Sequence, residues 1–286
     1  EDKLIEMRRY LHQYPELSFA EHKTAKLMDE KLQSYGYATK SGVGKTGVLA
    51  NLGKQGPIIA IRADMDALPI DEINANAYIS KNPTVMHACG HDGHMACGLA
   101  TAEMLAEREL PGRVRMVMQP AEESTDADGK SGAWRMLEDD ALDGVSAIIG
   151  LHADASLPAG KVGIIAGPAM AACDGFVITI TGKGGHGAYP ETTIDAVVLG
   201  AQVVQAIQQI VSRRVSALEP AIITIGSFHS SSTRGDAPEA SRSSLRQANR
   251  TSLAIQIVPG FVWFFRYVAS RRISLPSFFV SHSQMT

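Results

Sequence analysis

At four places between residues 62 and 152 the chain gathers side chains that bind divalent cations or move protons. Each group follows a short apolar run. In Arg62-Ala63-Asp64-Met65-Asp66-Ala67-Leu68-Pro69 two carboxylates stand two apart, so at a strand end they point the same way. Such crowding is repulsive unless a cation or proton lies between them, although either aspartate alone also reads as a turn cap. The densest group is His87-Ala88-Cys89-Gly90-His91-Asp92-Gly93-His94, with three imidazoles, a thiol and a carboxylate inside eight residues. Cysteine and histidine are borderline-soft donors that zinc, manganese or cobalt accept, and the glycines let the backbone bend around an ion. No second Cys/His pair follows at zinc-finger spacing. The plainer alternative makes Cys89 a small buried hydrophobe and the histidines solvated helix caps.

The third group is Gln119-Pro120-Ala121-Glu122-Glu123-Ser124. Pro120 ends the strand ladder, so the adjacent carboxylates need not point to opposite faces. One can bind metal while the other acts as general base on a water, but an isolated Glu-Glu pair is more often a surface pair. The fourth is Gly150-Leu151-His152, whose histidine would read as structural if it stood alone. The conjunction decides: four strand ends meeting on one sheet edge make a dinuclear arrangement, with ions about 3.5–4 Å apart.

The elements that must position these groups follow from apolar periodicity. Helices are expected over residues 2–13, 21–35, 93–107 and 132–138, with strands over 46–51, 57–62, 114–119 and 145–152. This alternation implies the α/β class, a mostly parallel sheet flanked by helices. Ligands then gather at the carboxyl ends of the strands. After a break near Gly167-Pro168, a strand at 175–181, a helix at 193–213 and a strand at 221–227 begin a partial α+β domain. The expected division is a metal-binding catalytic domain over 1–168, a partial lid over 169–228 and a divergent tail over 229–286. Beyond His229 serine and arginine become frequent and no lysine follows Lys183, which fits either a disordered tail or a frameshifted end.

Composition narrows the partners. The 286 residues are 45% hydrophobic and 20% charged, with a net charge of −3. No broad basic surface recommends a nucleic-acid or membrane partner, which leaves small polar substrates. Three scattered cysteines, Cys89, Cys97 and Cys173, fit a reducing compartment, so a cytoplasmic location is expected. The charged start Glu1-Asp2-Lys3 carries no secretory pattern, and the apolar run from Ile255 to Ala269 is interrupted by Pro259, Gly260 and Arg266.

Together with Arg9-Tyr10-Leu11-His12-Gln13-Tyr14-Pro15-Glu16-Leu17-Ser18-Phe19, these motifs resemble the M20 metallopeptidase family, in its branch of aminoacylases, hippurate hydrolases and auxin-conjugate hydrolases. The resemblance covers about residues 5–228. It implies Cys89, His91, Glu123 and His152 as metal ligands, Glu122 as general base, and two divalent ions, zinc or manganese, with cobalt or nickel also accommodated. The implied substrate is an N-acyl amino acid or small peptide. It also implies a homodimer formed through the lid, where the loop Lys183-Gly184-Gly185-His186-Gly187-Ala188 brings His186 to a neighbouring active site to stabilise an oxyanion. Family chains are longer and supply a last ligand histidine near their C-terminus. The setting Val280-Ser281-His282-Ser283 does not match that motif, so the resemblance implies weak metal binding and little hydrolysis for the chain as written. Two alternatives stand beside this reading. One is a catalytically inactive dimerisation or binding fragment, and the other is an amidase using Cys89 as nucleophile.

Overall fold

The computed structural model describes residues 2–164, 168–170, 174–219, 221–231, 250–259 and 262–263. Cys173, His282 and most of the expected tail lie outside the described residues. The chain divides into two compact units, one ending at Val162 and the other beginning at Gly163.

In the first unit α1 (Asp2–Gln13) and α2 (His22–Ser34) precede β1 (Ala38–Val43), β2 (Gly47–Leu52) and β3 (Ile58–Asp64). Then come α3 (His91–Ala106), β4 (Arg113–Gln119), α4 (Gly132–Glu138) and β5 (Val145–Gly150). The sheet order is β1-β2-β4-β3-β5. The β4-β3-β5 half is parallel, whereas β2 joins β4, and β1 joins β2, in antiparallel register. The fold is thus a mixed sheet flanked by helices, and its parallel half is the one that carries the polar strand ends.

Burial explains the helices. Along α2, Thr24, Ala25, Met28 and Leu32 recur at helical spacing and are buried. Ala25, Met28 and Leu32 join Met65, Met95, Leu99, Met116 and Met118 in one core cluster. A smaller cluster of Val43, Leu49, Ile58, Ala60, Val117, Met136, Ala141 and Val145 also includes β-strand residues and the α4 side chain Met136. α4 begins where Ser131 accepts the Trp134 amide as an N-cap.

β1 is the element that the apolar pattern does not announce. Its sequence Ala-Thr-Lys-Ser-Gly-Val is mostly polar and exposed, as suits a sheet edge. Its pairing with β2 comes from the turn, where Gly44 and Lys45 both take positive φ, 61° and 79°.

The second unit holds β6 (Pro168–Met170), β7 (Asp174–Thr181), a 3-10 turn at Pro190–Thr192 and α5 (Ala196–Arg214). β8 (Ala221–Ser231), β9 (Arg250–Pro259) and β10 (Val262–Trp263) complete it. An antiparallel sheet runs β7-β9-β8, and α5 lies against all three strands. Asp195 accepts the Val197 and Val198 amides, which starts α5 later than the apolar pattern indicates. β9 falls inside the stretch read as a tail, and it is the central strand of this sheet. Its alternating Leu253, Ile255 and Ile257 are a strand signal that the shift in composition obscured. Among the described residues, no helix is long and apolar enough to cross a membrane.

Candidate metal centre

The parallel register brings three strand ends level. Asp64, the last residue of β3, stands opposite Gln119, the last of β4, while Arg62 stands opposite Gly150, the last of β5. The fourth group arrives differently from the expectation of a strand end: His91 is the first residue of α3. Gly90 caps that helix with φ 84°, and a Cβ there would lie 2.9 Å from the Ala153 Cβ. Only glycine gives both the left-handed turn and the close approach. The helix start therefore abuts the loop after β5, and Cys89 meets His152 with Sγ to Nε2 at 3.3 Å.

His91 is the centre of the cluster. Its ring is fully buried, and Nε2 lies 3.7 Å from Glu123 Oε1, 3.9 Å from Glu122 Oε2 and 4.0 Å from Asp64 Oδ2. Three overlapping sets of donors converge within 4.8 Å: Cys89, His91 and His152; His91, Glu122 and Glu123; and Asp64, His91 and His94. Thus all four ligands named from the resemblance, and the proposed base, come together around one imidazole. His91 Nε2 and Glu123 Oε1 are buried without a hydrogen-bond partner. Two orphaned donors facing each other at that distance, with a thiol and a second imidazole alongside, fit a divalent cation.

Partners behind the cluster fix its orientation. His91 Nδ1–H donates to the Asp66 carbonyl at 2.8 Å, so Nε2 is the nitrogen left to face the carboxylates. Asp66 Oδ2 accepts the Ser18 hydroxyl at 2.6 Å and the Glu123 amide at 3.0 Å. His94 bridges β3 to the loop after β5, with Nδ1 3.2 Å from Asp64 Oδ2 and Nε2 accepting the Ala153 amide at 2.9 Å. Arg62 lies against the other Asp64 oxygen. Asp64 and Asp66 therefore each flank His91 with protein partners of their own. Beside His91 in the chain, Asp92 accepts from Arg8 and from His12, each at 2.8 Å, and His12 also meets Glu72 at 3.2 Å. The Asp92 hydrogen bond chiefly holds the His12 imidazolium above its usual range, against the pull of burial.

The electrostatics favour a positive guest. Burial, followed by the Glu123, Glu122 and Asp64 carboxylates, pushes the Cys89 thiol up to about 12. Burial pulls the His91 imidazole down, but the Asp66 hydrogen bond and the Asp64, Asp66 and Glu122 charges outweigh it and raise it to about 9. Enclosure raises the Glu122 carboxyl, with Asp64 and Glu123 adding to the effect and Arg62 and His91 opposing it. The His91 shift reports the negative charge around the cluster, whereas burial is the larger cause for Cys89 and Glu122 and the carboxylates add to it.

The sequence reading did not assign roles to His94, Ser18 or Glu21. The spacing of His91 and His94, three apart on one helix face, was a usable signal for the first. His186 lies in the second unit, exposed, on the loop after β7. Its Nδ1 accepts the Ala188 amide at 3.1 Å, which places the proton of the neutral ring on Nε2.

A cluster of thiol, imidazole and paired carboxylates at the strand ends of a mixed sheet makes a candidate divalent-metal site. Comparison with known proteins gives the family. The profile of peptidase family M20/M25/M40 matches residues 60–242, and the chain belongs to that family. An N-acyl-L-amino acid amidohydrolase of Geobacillus stearothermophilus is 50% identical over 229 residues, which is 79% of this chain and 61% of that protein. An N-acetyl-L-cysteine deacetylase of Bacillus subtilis is 43% identical over 243 residues, covering 84% of this chain and 57% of that one. A crystal structure of a dinuclear metal-binding M20 peptidase from Bacillus subtilis superposes with a TM-score of 0.65 at 35% identity, over 91% of this chain and 64% of that one. The chain spans about three-fifths of the length of these curated relatives.

Proposed function

We propose that this chain is the metal-binding part of an amidohydrolase that cleaves the amide bond of an N-acyl amino acid or small peptide. The supporting observation is the pair of unpartnered, buried atoms His91 Nε2 and Glu123 Oε1, 3.7 Å apart, with the Glu122 carboxylate 3.9 Å from the same nitrogen. In this reading Cys89, His91, Glu123 and His152 hold divalent zinc or manganese, two ions when the site is complete. A bound ion supplies Lewis-acid polarisation and makes water a better nucleophile at neutral pH.

Glu122 is the group left to move protons. Its raised pKa and partial exposure suit a carboxylate that takes a proton from the attacking water and returns it to the departing amine as the C–N bond breaks. His186, with its Nε2–H available as a donor, stabilises the oxyanion from the lid of a homodimer. A reducing, cytoplasmic setting suits a thiol ligand.

The 3.3 Å contact of Cys89 with His152 favours a second reading, in which the thiol is the nucleophile. Burial, with the neighbouring carboxylates, pushes the thiol up to about 12 and opposes it, because a nucleophilic cysteine needs its thiolate stabilised. Hydrolysis of N-acetyl amino acids with and without a chelator decides. Loss on chelation and recovery with added manganese or zinc support the metal enzyme. Chelator-resistant activity abolished by alkylation supports the thiol, and no activity under any metal loading leaves a binding fragment.

A further inference from the structure

Glu21 is fully buried and carries a carboxylate that the proposed chemistry does not use. It occupies the N-cap position of α2 yet makes no side-chain bond to that helix. Instead Oε2 accepts the Thr46 hydroxyl at 2.5 Å and Oε1 accepts the Ala121 amide at 2.8 Å. A desolvated carboxylate is unfavourable unless its oxygens are satisfied, and here each oxygen has a donor.

Ala121 is an unusual residue to hold. It is fully buried with φ 43°, a left-handed conformation that costs any residue with a Cβ. Its carbonyl accepts the Gly132 amide at 2.9 Å, and a Cβ at position 132 would lie 1.8 Å from the Pro120 oxygen. Both polar groups of the Ala121 backbone are thus committed, and the next two residues are Glu122 and Glu123. The loop that carries Glu21 also grips the neighbouring strand end. Glu16 O accepts the Ala67 amide at 2.8 Å, and Ser18 donates to Asp66, which in turn accepts the Glu123 amide. Backbone strain next to a functional pair persists only where its surroundings enforce it.

Resting on the metal-hydrolase reading, we propose that Glu21 is a positioning residue: its carboxylate holds the Ala121 turn left-handed and so aims Glu122 and Glu123 into the cluster. What matters is the reach and acceptor character of the side chain, not its charge. Glutamine keeps an oxygen for the Ala121 amide and offers its amide hydrogens to Thr46. Aspartate keeps the charge but is one methylene too short.

The test uses the full chain. Amide hydrogen exchange at Ala121 in the metal-free protein reads the clamp directly, and zinc titration of the same variants reads its consequence. Glu21→Gln is expected to keep the protection of Ala121 and to bind zinc within a few-fold of the original chain. Glu21→Asp and Glu21→Ala are expected to lose that protection and to bind zinc roughly 10–100-fold more weakly. Should Glu21→Ala not fold, Glu21→Asp carries the comparison. Protection and zinc affinity unchanged in Glu21→Asp, or Glu21→Gln as damaging as Glu21→Asp, overturns the proposal. A lowered Tm with unchanged zinc affinity overturns it too, because it marks a merely structural role. If the original chain binds no zinc, the metal reading fails by itself, and the exchange data still decide whether Glu21 clamps Ala121.

Discussion

His91 and Glu123 are held from several directions, whereas Cys89 and His152 depend on one helix cap and one loop. Behind the first pair stand Asp66, Ser18 and the loop before α2, all tied to buried strand ends. The second pair meets because Gly90 turns the chain, and His152 is held besides by a bond from Nδ1 to the carbonyl of its neighbour Ala153 at 2.7 Å and by edge-on packing against the His94 ring, with centroids 4.8 Å apart. Exposure singles out His91 alone, which is fully buried, while Glu123, Cys89 and His152 are all half-buried. The carboxylate side of the site is therefore part of the core's own hydrogen-bonding, while the thiol side is an attachment that a few contacts align.

The sharpest way to use this contrast is to remove chemistry without disturbing support. Glu122→Gln is expected to lower hydrolysis by about 10²–10⁴-fold, the usual contribution of a positioned acid–base group, with metal binding retained. Steady-state rates and a metal titration on the same preparation check it, and unchanged turnover would remove Glu122 from the mechanism.

Acid–base linkage gives a second test. At neutral pH the Cys89 thiol, up at about 12, and the His91 imidazole, up at about 9, hold protons that a cation must displace. Affinity should therefore rise with pH, by about tenfold per pH unit for each proton released. Calorimetry in buffers of different ionisation enthalpy counts those protons, and binding without proton release would contradict the ligand assignment.

Loosening the thiol side should cost less. His152→Ala removes a ligand and is expected to weaken the metal by at least the roughly 10–100-fold that losing a ligand's supporting partner costs, without changing the fold, and circular dichroism alongside the titration separates the two effects. Smallest is Ser18→Ala, which deletes one hydrogen bond to the Asp66 carboxylate and should destabilise the chain by about 1 kcal/mol in a urea titration. If Ser18→Ala weakened metal more than His152→Ala, the contrast between the two sides would be reversed.

What the sequence made legible follows the same physics. The apolar runs that become β3 and β4 announce themselves because most side chains on both faces of these inner strands are buried, and β5 keeps an apolar run although it is a half-exposed edge. The donors at Cys89, His91, Glu122, Glu123 and His152 are legible because chemistry concentrates uncommon residue types in short stretches. β1 was hidden because Thr39, Lys40 and Ser41 are polar at an exposed edge. Glu21 was hidden for a different reason: its partner Ala121 is 100 residues away, and nothing local distinguishes a clamping glutamate from a helix cap. Asp64 and Asp66 were visible as a pair, but their contacts with His94, Ser18 and the Glu123 amide depend on tertiary placement.

The central claim is that one buried imidazole organises a cation site shared by the strand ends and the start of α3. Calorimetric titration of the metal-free full chain with zinc, beside His91→Ala, tests it most directly. The account predicts saturable binding in the original chain that His91→Ala abolishes while its circular dichroism spectrum stays the same. Equal zinc binding by the two proteins would contradict it.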